Sequence, residues 1–444
     1  MPDRKPGVLA IILPGILVAA TGVGVGDLAG AGFAGSKLGY AVLWAAVLGS
    51  FVKFVVNEGL ARWQLATGQT LLEGAVLRFG WPLKWFFLVY LLVWSWAVGS
   101  ALISACGVAG HALFPVFDDA ETGKIVWGIA HSVVAVVIIL FGGFKSFEKA
   151  MVVTLVVTFA SVIATAAASD PDWGAVARGL LIPRIPTERG ADAAQWTLVV
   201  MGGVGGTLTM LCYGYWIREQ GRTGPEFLKT CRIDLGVSYT MTALFGVAVV
   251  IIGAQLNLIE GKGTGLILKL ADKLGEVLGR PMRWVFLIGA WATVFDSLLG
   301  VWQSVPYLFA DFWNLVTRGS REKQRGFPVV VAGADVPADA EPATPASAVD
   351  TRSPVYRGYL LALATIPMAG LWVSFVSVQK AYSLLGAVVM PMVALALLIL
   401  NGRSDWVGRA YRNRPLTVIV LVAVLLFFIY AAYVTMRTGK EIVA

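Results

Sequence analysis

The sequence predicts an all-α integral membrane protein with eleven transmembrane helices, two of which are broken. Of its 444 residues, 57% are hydrophobic and 14% are charged, and the mean hydropathy is +0.75. A soluble chain carries about a quarter charged residues. Apolar runs of about 20 residues, long enough to cross the hydrocarbon core as a helix, recur along the whole chain. Two of these runs contain a glycine-rich interruption.

The apolar runs define eleven predicted spans. Lipid offers no hydrogen-bond partners to a backbone, so each span must be helical, and irregular backbone is tolerated only where protein or a water-filled cavity surrounds it. The two interruptions must therefore face inward. The spans are predicted at 9–36 (broken), 39–60, 81–110, 125–142, 147–168, 195–217 (broken), 235–256, 282–310, 356–377, 380–400 and 415–436.

The two interruptions read GVGVGD from Gly22 to Asp27 and GGVGGT from Gly202 to Thr207. Breaks at corresponding positions of two halves point to the binding site of a transporter, near the middle of the bilayer. An ionisable group such as Asp27 at this depth is costly and indicates function. The positions predict two five-span halves of inverted topology, residues 1–168 and 195–400, and an additional eleventh span at 415–436.

Charge distribution predicts a multi-pass protein of the inner or plasma membrane with a cytoplasmic N-terminus, because this orientation places the larger share of Lys and Arg inside. The net charge of +8 follows from these topology-determining clusters and does not indicate a nucleic-acid partner. The composition of residues 317–353 predicts a flexible cytoplasmic linker. The pattern of leucine and charge at Leu266–Leu278 predicts an interfacial helix. The sequence leaves the oligomeric state open.

Several stretches resemble the natural resistance-associated macrophage protein (Nramp) family of metal transporters. They read LPGILVAATG at Leu13–Gly22, KLGYAVLW at Lys37–Trp44 and LARWQLATG at Leu60–Gly68, and their spacing needs no gap. The resemblance implies the leucine-transporter-like fold, a 5+5 inverted repeat with broken helices one and six. It also implies transport of a metal ion, with the metal as substrate and no cofactor.

The chain departs from this family at the residues that carry its chemistry. The family's first break reads Asp-Pro-Gly-Asn, whose Asp and Asn ligate the metal, and these positions fall on Gly24 to Asp27 here. The family's Met-Pro-His in span six falls on Thr209 to Leu211. Loss of the thioether weakens selection for soft transition metals. His111 and His131 lie away from the family's proton route, so we expect no proton coupling by that route.

Oxygen donors remain at both breaks and predict a site for a hard cation. Carboxylate, carbonyl, hydroxyl and water oxygens suit Mg²⁺, Mn²⁺ or Na⁺. Asp27, Thr209 and Asp296 are the predicted metal ligands, with Asp296 on span eight. The full set of predicted binding residues is Gly24 and Gly206 through freed carbonyls, and Asp27, Thr207, Thr209 and Asp296 through side chains.

Structural roles compete with these assignments. Asp27 is also suited to capping the half-helix that follows it, since Asp is a favoured N-cap. Asp296 has the alternatives of pairing with Lys53 or bonding to backbone. Glu58 is predicted to form a gate or structural ion pair with Lys53 or Arg62. Small residues four apart in the first break also fit close helix packing.

Three functions stay open from the sequence. The first is a transporter of a divalent cation of the Mg²⁺ or Mn²⁺ type by alternating access. The second keeps the fold and moves a small organic solute or anion, coupled to Na⁺ or H⁺. The third is a non-transporting scaffold or a membrane enzyme. The spans contain no metal-ligand cluster or nucleophile constellation, so we expect no enzyme and no cofactor.

Overall fold

The computed structural model describes residues 24, 26–141, 159–190, 192–219, 221–222, 224–256, 263–322 and 350–441. The sequence stretch Leu13–Gly22, much of the predicted span 147–168 and most of the predicted linker 317–353 lie outside the described residues. Within the described ranges every regular element is helical.

A π-helical turn, Gly26–Ala31, begins within the first predicted break, and the second break is followed by a 3-10 turn at Leu208–Cys212. A further 3-10 segment, Ile366–Trp372, follows α13. The α-helices are α1 (Gly32–Leu38), α2 (Leu43–Thr67), α3 (Leu71–Phe79), α4 (Trp81–Leu113), α5 (Ala120–Phe141), α6 (Phe159–Ala168), α7 (Trp173–Leu181), α8 (Ala193–Gly203), α9 (Tyr213–Glu219), α10 (Leu228–Ala254), α11 (Leu266–Leu278), α12 (Arg280–Glu322), α13 (Pro354–Thr365), α14 (Phe375–Leu400), α15 (Ser404–Val407) and α16 (Pro415–Glu441).

Eight helical segments in the described part of the chain are long and apolar enough to cross a membrane. The prediction of eleven spans is therefore not reproduced as eleven such helices. Two predicted spans share one segment, Asp27–Thr67, and the described part of predicted span 147–168 is the short apolar helix α6. Predicted span 356–377 is divided between α13 and the following 3-10 segment.

Local sequence sets several helix ends. Gly68 takes φ of 69° and its amide donates to the Gln64 carbonyl at 2.8 Å, which closes α2. Thr70 and Glu73 then form a capping box that begins α3, in which each residue satisfies a free backbone amide of the other. The helix predicted at Leu266–Leu278 is α11, with the same bounds.

Small residues let α1 enter the centre of the helix bundle. A Cβ added to Gly35 would lie 2.4 Å from the Val250 carbonyl oxygen, and one added to Gly253 would lie 2.4 Å from the Gly32 carbonyl oxygen. The backbones of α1 and α10 are therefore in near contact, as small residues permit in membrane helices. Elements α8 and α14 also contact the π-helical turn, so the first break lies within the core.

Candidate cation-binding site at the two helix breaks

Asp27 connects the two breaks. Its carboxylate is fully buried and accepts hydrogen bonds from the Gly24 amide at 3.1 Å and from the Gly205 amide at 3.3 Å. One bond lies within the first break and the other crosses to the second. A buried carboxylate needs such partners, because an unpaired charge in a low-dielectric interior is costly.

Asp27 is not the N-cap of the helix that follows. An N-cap side chain accepts from amides two or three residues ahead, whereas Asp27 reaches back three residues to Gly24. The amide of Leu28 donates to the Gly24 carbonyl at 3.0 Å. Asp27 is thus the third residue after Gly24, the position whose side chain accepts from the N-cap amide in a capping box. The Gly24 carbonyl, predicted to be freed, is already used by this turn.

The second break is made by glycine conformations. Helix α8 ends at Gly203, and Gly205 and Gly206 take φ of 81° and 82°, a left-handed region that L side chains rarely adopt. The chain re-enters helical geometry only at Leu208. Carbonyl groups at the end of α8 lose their helical partners in such an interruption.

Lys53 holds these carbonyls. Its side chain is fully buried on α2, and its ammonium donates to the carbonyls of Gly202, at 2.9 Å, and of Val204 and Gly206. A lysine ammonium carries three N–H donors and no acceptor, so the three carbonyls match its full donor set. Asp27 interacts with this ammonium electrostatically, at longer range than a direct ion pair. The predicted partner of Lys53, Glu58, is not involved.

The two predicted threonines lie on either side of Leu208. Thr207 is buried, and its hydroxyl is 3.5 Å from the Tyr382 hydroxyl of α14. Its methyl group lies against Gly386, where an added Cβ would be 2.2 Å away. Thr209 is also buried, but its hydroxyl makes no hydrogen bond to any described residue. Thr207 therefore belongs to the contacts of the second break, and Thr209 is not joined to them.

Asp296 is buried on α12 but is not brought into contact with Asp27 or Lys53. Its side chain forms no ion pair or hydrogen bond with any residue that the structure describes, so neither predicted structural partner of Asp296 is found. The neighbouring Ser297 instead faces the first break, since a Cβ added to Gly24 would lie 2.0 Å from the Ser297 hydroxyl oxygen. Sequence reasoning missed Ser297, Tyr382 and the carbonyls of Gly202 and Val204.

Glu58 belongs to a separate ion-pair network at the predicted cytoplasmic end. Its carboxylate pairs with Arg62 at 2.8 Å and with Arg232 of α10 at 2.7 Å. Arg62 also donates to the Tyr411 carbonyl and to the Asn413 side chain, each at 3.0 Å. The network joins α2 to α10 and to the segment that follows α15. It contains the predicted Glu58–Arg62 pair, whereas the alternative pair with Lys53 is absent.

Asp192 anchors a second charged cluster at the opposite, predicted outer end. It lies before α8 and contacts Lys380 of α14 at 3.1 Å, Trp196 at 2.7 Å and Lys37 of α1 at 4.0 Å. Partial burial raises the pKa of the Asp192 carboxyl, but the hydrogen bonds from Lys380 and Trp196 and the two lysine charges outweigh it, so this pKa lies below its ordinary value.

Histidine and carboxylate side chains do not assemble into a transition-metal centre in the described residues, where no group of three or more His, Cys, Asp or Glu is placed to hold a metal. His131 packs against Trp291, whose indole donates to its Nε2 at 2.7 Å, while Nδ1 contacts the Trp127 carbonyl at 2.6 Å. This bonding pattern is that of a neutral packing histidine.

Comparison with known protein families gives one match over nearly the whole chain. The sequence model described as "Natural resistance-associated macrophage protein-like" matches residues 15–437. A "Divalent metal cation transporter MntH" from Yersinia pestis (strain Pestoides F) is 25% identical over 375 residues, covering 81% of this chain and 85% of that protein. The MntH of Burkholderia ambifaria is 23% identical over 459 residues and covers 98% of this chain and 92% of its own length.

Solved structures, among them that of a manganese transporter, share the fold. The manganese transporter of Eremococcus coleocola, in complex with an aromatic bis-isothiourea substituted compound, superposes with a TM-score of 0.65 at 15% identity, covering 99% of this chain and 95% of its own. MhsT in complex with L-phenylalanine superposes with a TM-score of 0.57 at 14% identity, covering 99% of both chains. At these identities the likeness concerns the arrangement of helices.

Proposed function

Because this chain belongs to the Nramp family, which its match over residues 15–437 establishes, we propose that it transports a divalent metal cation across the membrane by alternating access. The similar MntH proteins are named as divalent metal cation transporters. The cation is the substrate, and the protein that carries it is not an enzyme and uses no cofactor.

The observation that carries this proposal is the cation-binding geometry at the two breaks. Three backbone carbonyls of the second break converge on one point and bind an ammonium there. The Asp27 carboxylate lies within electrostatic range of the same point. A group of oxygens that binds an ammonium in the middle of a membrane protein is suited to a metal ion, since both need negative oxygens to replace water.

Oxygen ligands favour a hard ion of the Mg²⁺ or Mn²⁺ type. We propose Asp27, the Thr207 hydroxyl and the carbonyls of Val204 and Gly206 as protein ligands, with water completing the shell. Thr209 and Asp296 stay predicted ligands that contact none of these groups here. A site without thioether or imidazole gives weak preference for softer transition metals. Coupling to protons through the family's usual histidines is not expected in this chain.

The two charged networks fit alternating access. The Glu58 network closes the predicted inner end, and the Asp192 cluster joins α1, α8 and α14 at the other end. In a fold of two inverted repeats, predicted here at residues 1–168 and 195–400, access alternates as one set of helices moves against the other. We propose that the two networks break in turn, with the N-terminus in the cytoplasm of a plasma-membrane protein.

Proteoliposome flux tests the proposal. Fluxes of Mg²⁺, Mn²⁺, Na⁺ and protons are measured for the wild type, for Asp27→Asn and for the control Asp405→Asn. Asp405 lies in α15, outside the proposed site. We expect divalent flux in the wild type and the control, and loss of that flux in Asp27→Asn. Wild-type flux that persists unchanged in a folded Asp27→Asn protein would contradict the proposed site.

A second function is favoured by one observation. Lys53 already occupies the cation position, and its charge compensates that of Asp27. Because the negative charge of Asp27 is already neutralised, the site needs no divalent cation to balance it. Such a site suits a coupled transporter of a small organic solute or anion. A thermal-stability screen separates the two functions, since the ligand that binds the folded state raises the melting temperature by mass action.

A further inference from the structure

Lys53 is positioned as a resident cation. Its side chain is fully buried and its three donors are all used by carbonyls of the second break. One helical turn later, Asn57 donates to the Lys53 carbonyl at 3.3 Å and to the Tyr239 hydroxyl of α10. The stretch of α2 that carries Lys53 is thereby tied to α10, so the ammonium is directed at the break from a fixed backbone.

Charge at the breaks does not allow Lys53 and a divalent ion to be bound together at the carbonyls. The ammonium and Asp27 balance each other, and no other charged side chain contacts either of them among the described residues. A divalent ion beside Lys53 would place three positive charges near one carboxylate at low dielectric, where uncompensated charge is strongly unfavourable. The carbonyls of Gly202, Val204 and Gly206 offer one cation position, and Lys53 fills it.

We propose that Lys53 is a tethered competitor of the transported cation, which must leave the carbonyls of the second break before the ion binds. This inference rests on the proposed function. The lysine side chain has a flexible four-carbon stem, so the ammonium can withdraw while α2 stays in place. Lys53 thereby determines the apparent affinity of the site and returns the carbonyls to a satisfied state once the ion has left.

The size of the effect follows from the population of the vacated state. Apparent affinity falls by the fraction of molecules in which the site is free, and minor conformations are populated at roughly 0.1–10%. Removing Lys53 makes the site free in all molecules. The dissociation constant for a divalent cation should therefore fall by about tenfold or more when Lys53 is replaced by a neutral residue.

Cation binding to the purified full-length protein tests this role. Mn²⁺, Mg²⁺ and Na⁺ are titrated separately against wild type, Lys53→Met, Lys53→Gln and the control Lys84→Met, with melting temperature and calorimetry as readouts. Lys84 lies near the start of α4, away from the breaks. Lys53→Gln removes the charge and keeps two N–H donors on a side chain that is one atom shorter, so it provides a second variant if Lys53→Met does not fold.

We expect both Lys53 variants to bind Mn²⁺ or Mg²⁺ at least about tenfold more tightly than wild type and Lys84→Met. We also expect their melting temperatures without added cation to lie below that of wild type and to recover when the ion is added. If wild type binds a divalent cation and both variants bind it with the same or lower affinity, the competitor role is wrong while the proposed function stands. If no variant binds any of the three cations, the proposed function fails as well.

Discussion

The coupling between Asp27 and Lys53 can be measured by a double-mutant cycle. The single variants are Asp27→Asn and Lys53→Met, and the double variant carries both. Asp27→Asn keeps an oxygen that can accept from the amide of Gly24 or Gly205 and removes the negative charge. Lys53→Met keeps most of the side-chain volume and removes the ammonium. Each single variant leaves one buried charge without its partner.

The structure sets the expected magnitude. Breaking a buried charge pair by removing one partner costs about 3–5 kcal/mol, whereas replacing both partners is often nearly neutral. The charges of Asp27 and Lys53 interact at longer range than a direct ion pair, so the lower part of that range applies. We expect each single variant to lose about 3 kcal/mol of unfolding free energy. The double variant should lose about 3–5 kcal/mol, because it also loses the hydrogen bonds from Lys53 to the carbonyls of the second break, and the coupling is then about 1–3 kcal/mol.

Thermal and denaturant unfolding in detergent, without divalent cations, measures the cycle. A control cycle uses Lys37→Met and Asp192→Asn, because this pair is 4.0 Å apart and its side chains are 39% and 34% exposed. Exposed pairs couple by about 0–1 kcal/mol. A coupling energy between Asp27 and Lys53 that is no larger than that of the control cycle would refute the view that these two buried charges compensate each other.

Three further predictions concern the breaks and the two charged ends. Gly205→Ala should destabilise the protein by about 1–3 kcal/mol, and by more than Gly408→Ala. Both glycines have positive φ, but only at Gly205 does an added Cβ meet a neighbour, at 2.8 Å. Unfolding of the two variants measures the difference, and equal losses would argue against tight packing at the break. Glu58→Gln should weaken the closure of the predicted inner end, because two arginines lose their carboxylate partner. The accessibility of cysteines at that end to a thiol reagent should then rise, and unchanged accessibility would contradict a gate. Asp192→Asn should be less stable than wild type at neutral pH, and the difference should vanish as pH falls below the ordinary aspartate pKa of about 3.9. A carboxyl whose pKa is lowered in the folded state stabilises the fold only while it is charged. A pH-independent difference would show that the Asp192 charge is not the cause.

The position of the second break could be predicted from the sequence, because closely spaced glycines inside an apolar span destabilise a continuous helix and permit backbone that other residues avoid. The structure has left-handed backbone at Gly205 and Gly206, and Asp27 is buried between the breaks. The count of eleven spans stays a prediction, since Asp27–Thr67, which contains parts of two predicted spans, is a single segment by length and hydropathy.

The partners of Lys53 could be predicted only in part, by excluding Glu58. Glu58 is five residues from Lys53, which places the two side chains roughly 140° apart around α2, so they do not face each other. Arg62, four residues from Glu58, does face it, and this pair is present. The true partners of Lys53 are backbone carbonyls on another helix, and no side-chain pattern identifies them.

Two features of this chain act on the same quantity, the charge of the site. The resemblance places the family's ligand aspartate at Gly24, which predicts the loss of one negative charge, and Lys53 adds one positive charge at the carbonyls of the second break. Asp27 supplies a carboxylate that compensates the lysine. A site of this composition attracts a divalent ion more weakly than one with an unpaired carboxylate, unless the ammonium moves away. Metal affinity in this chain should therefore depend on Lys53 as much as on any oxygen ligand, which the Lys53→Gln variant measures directly.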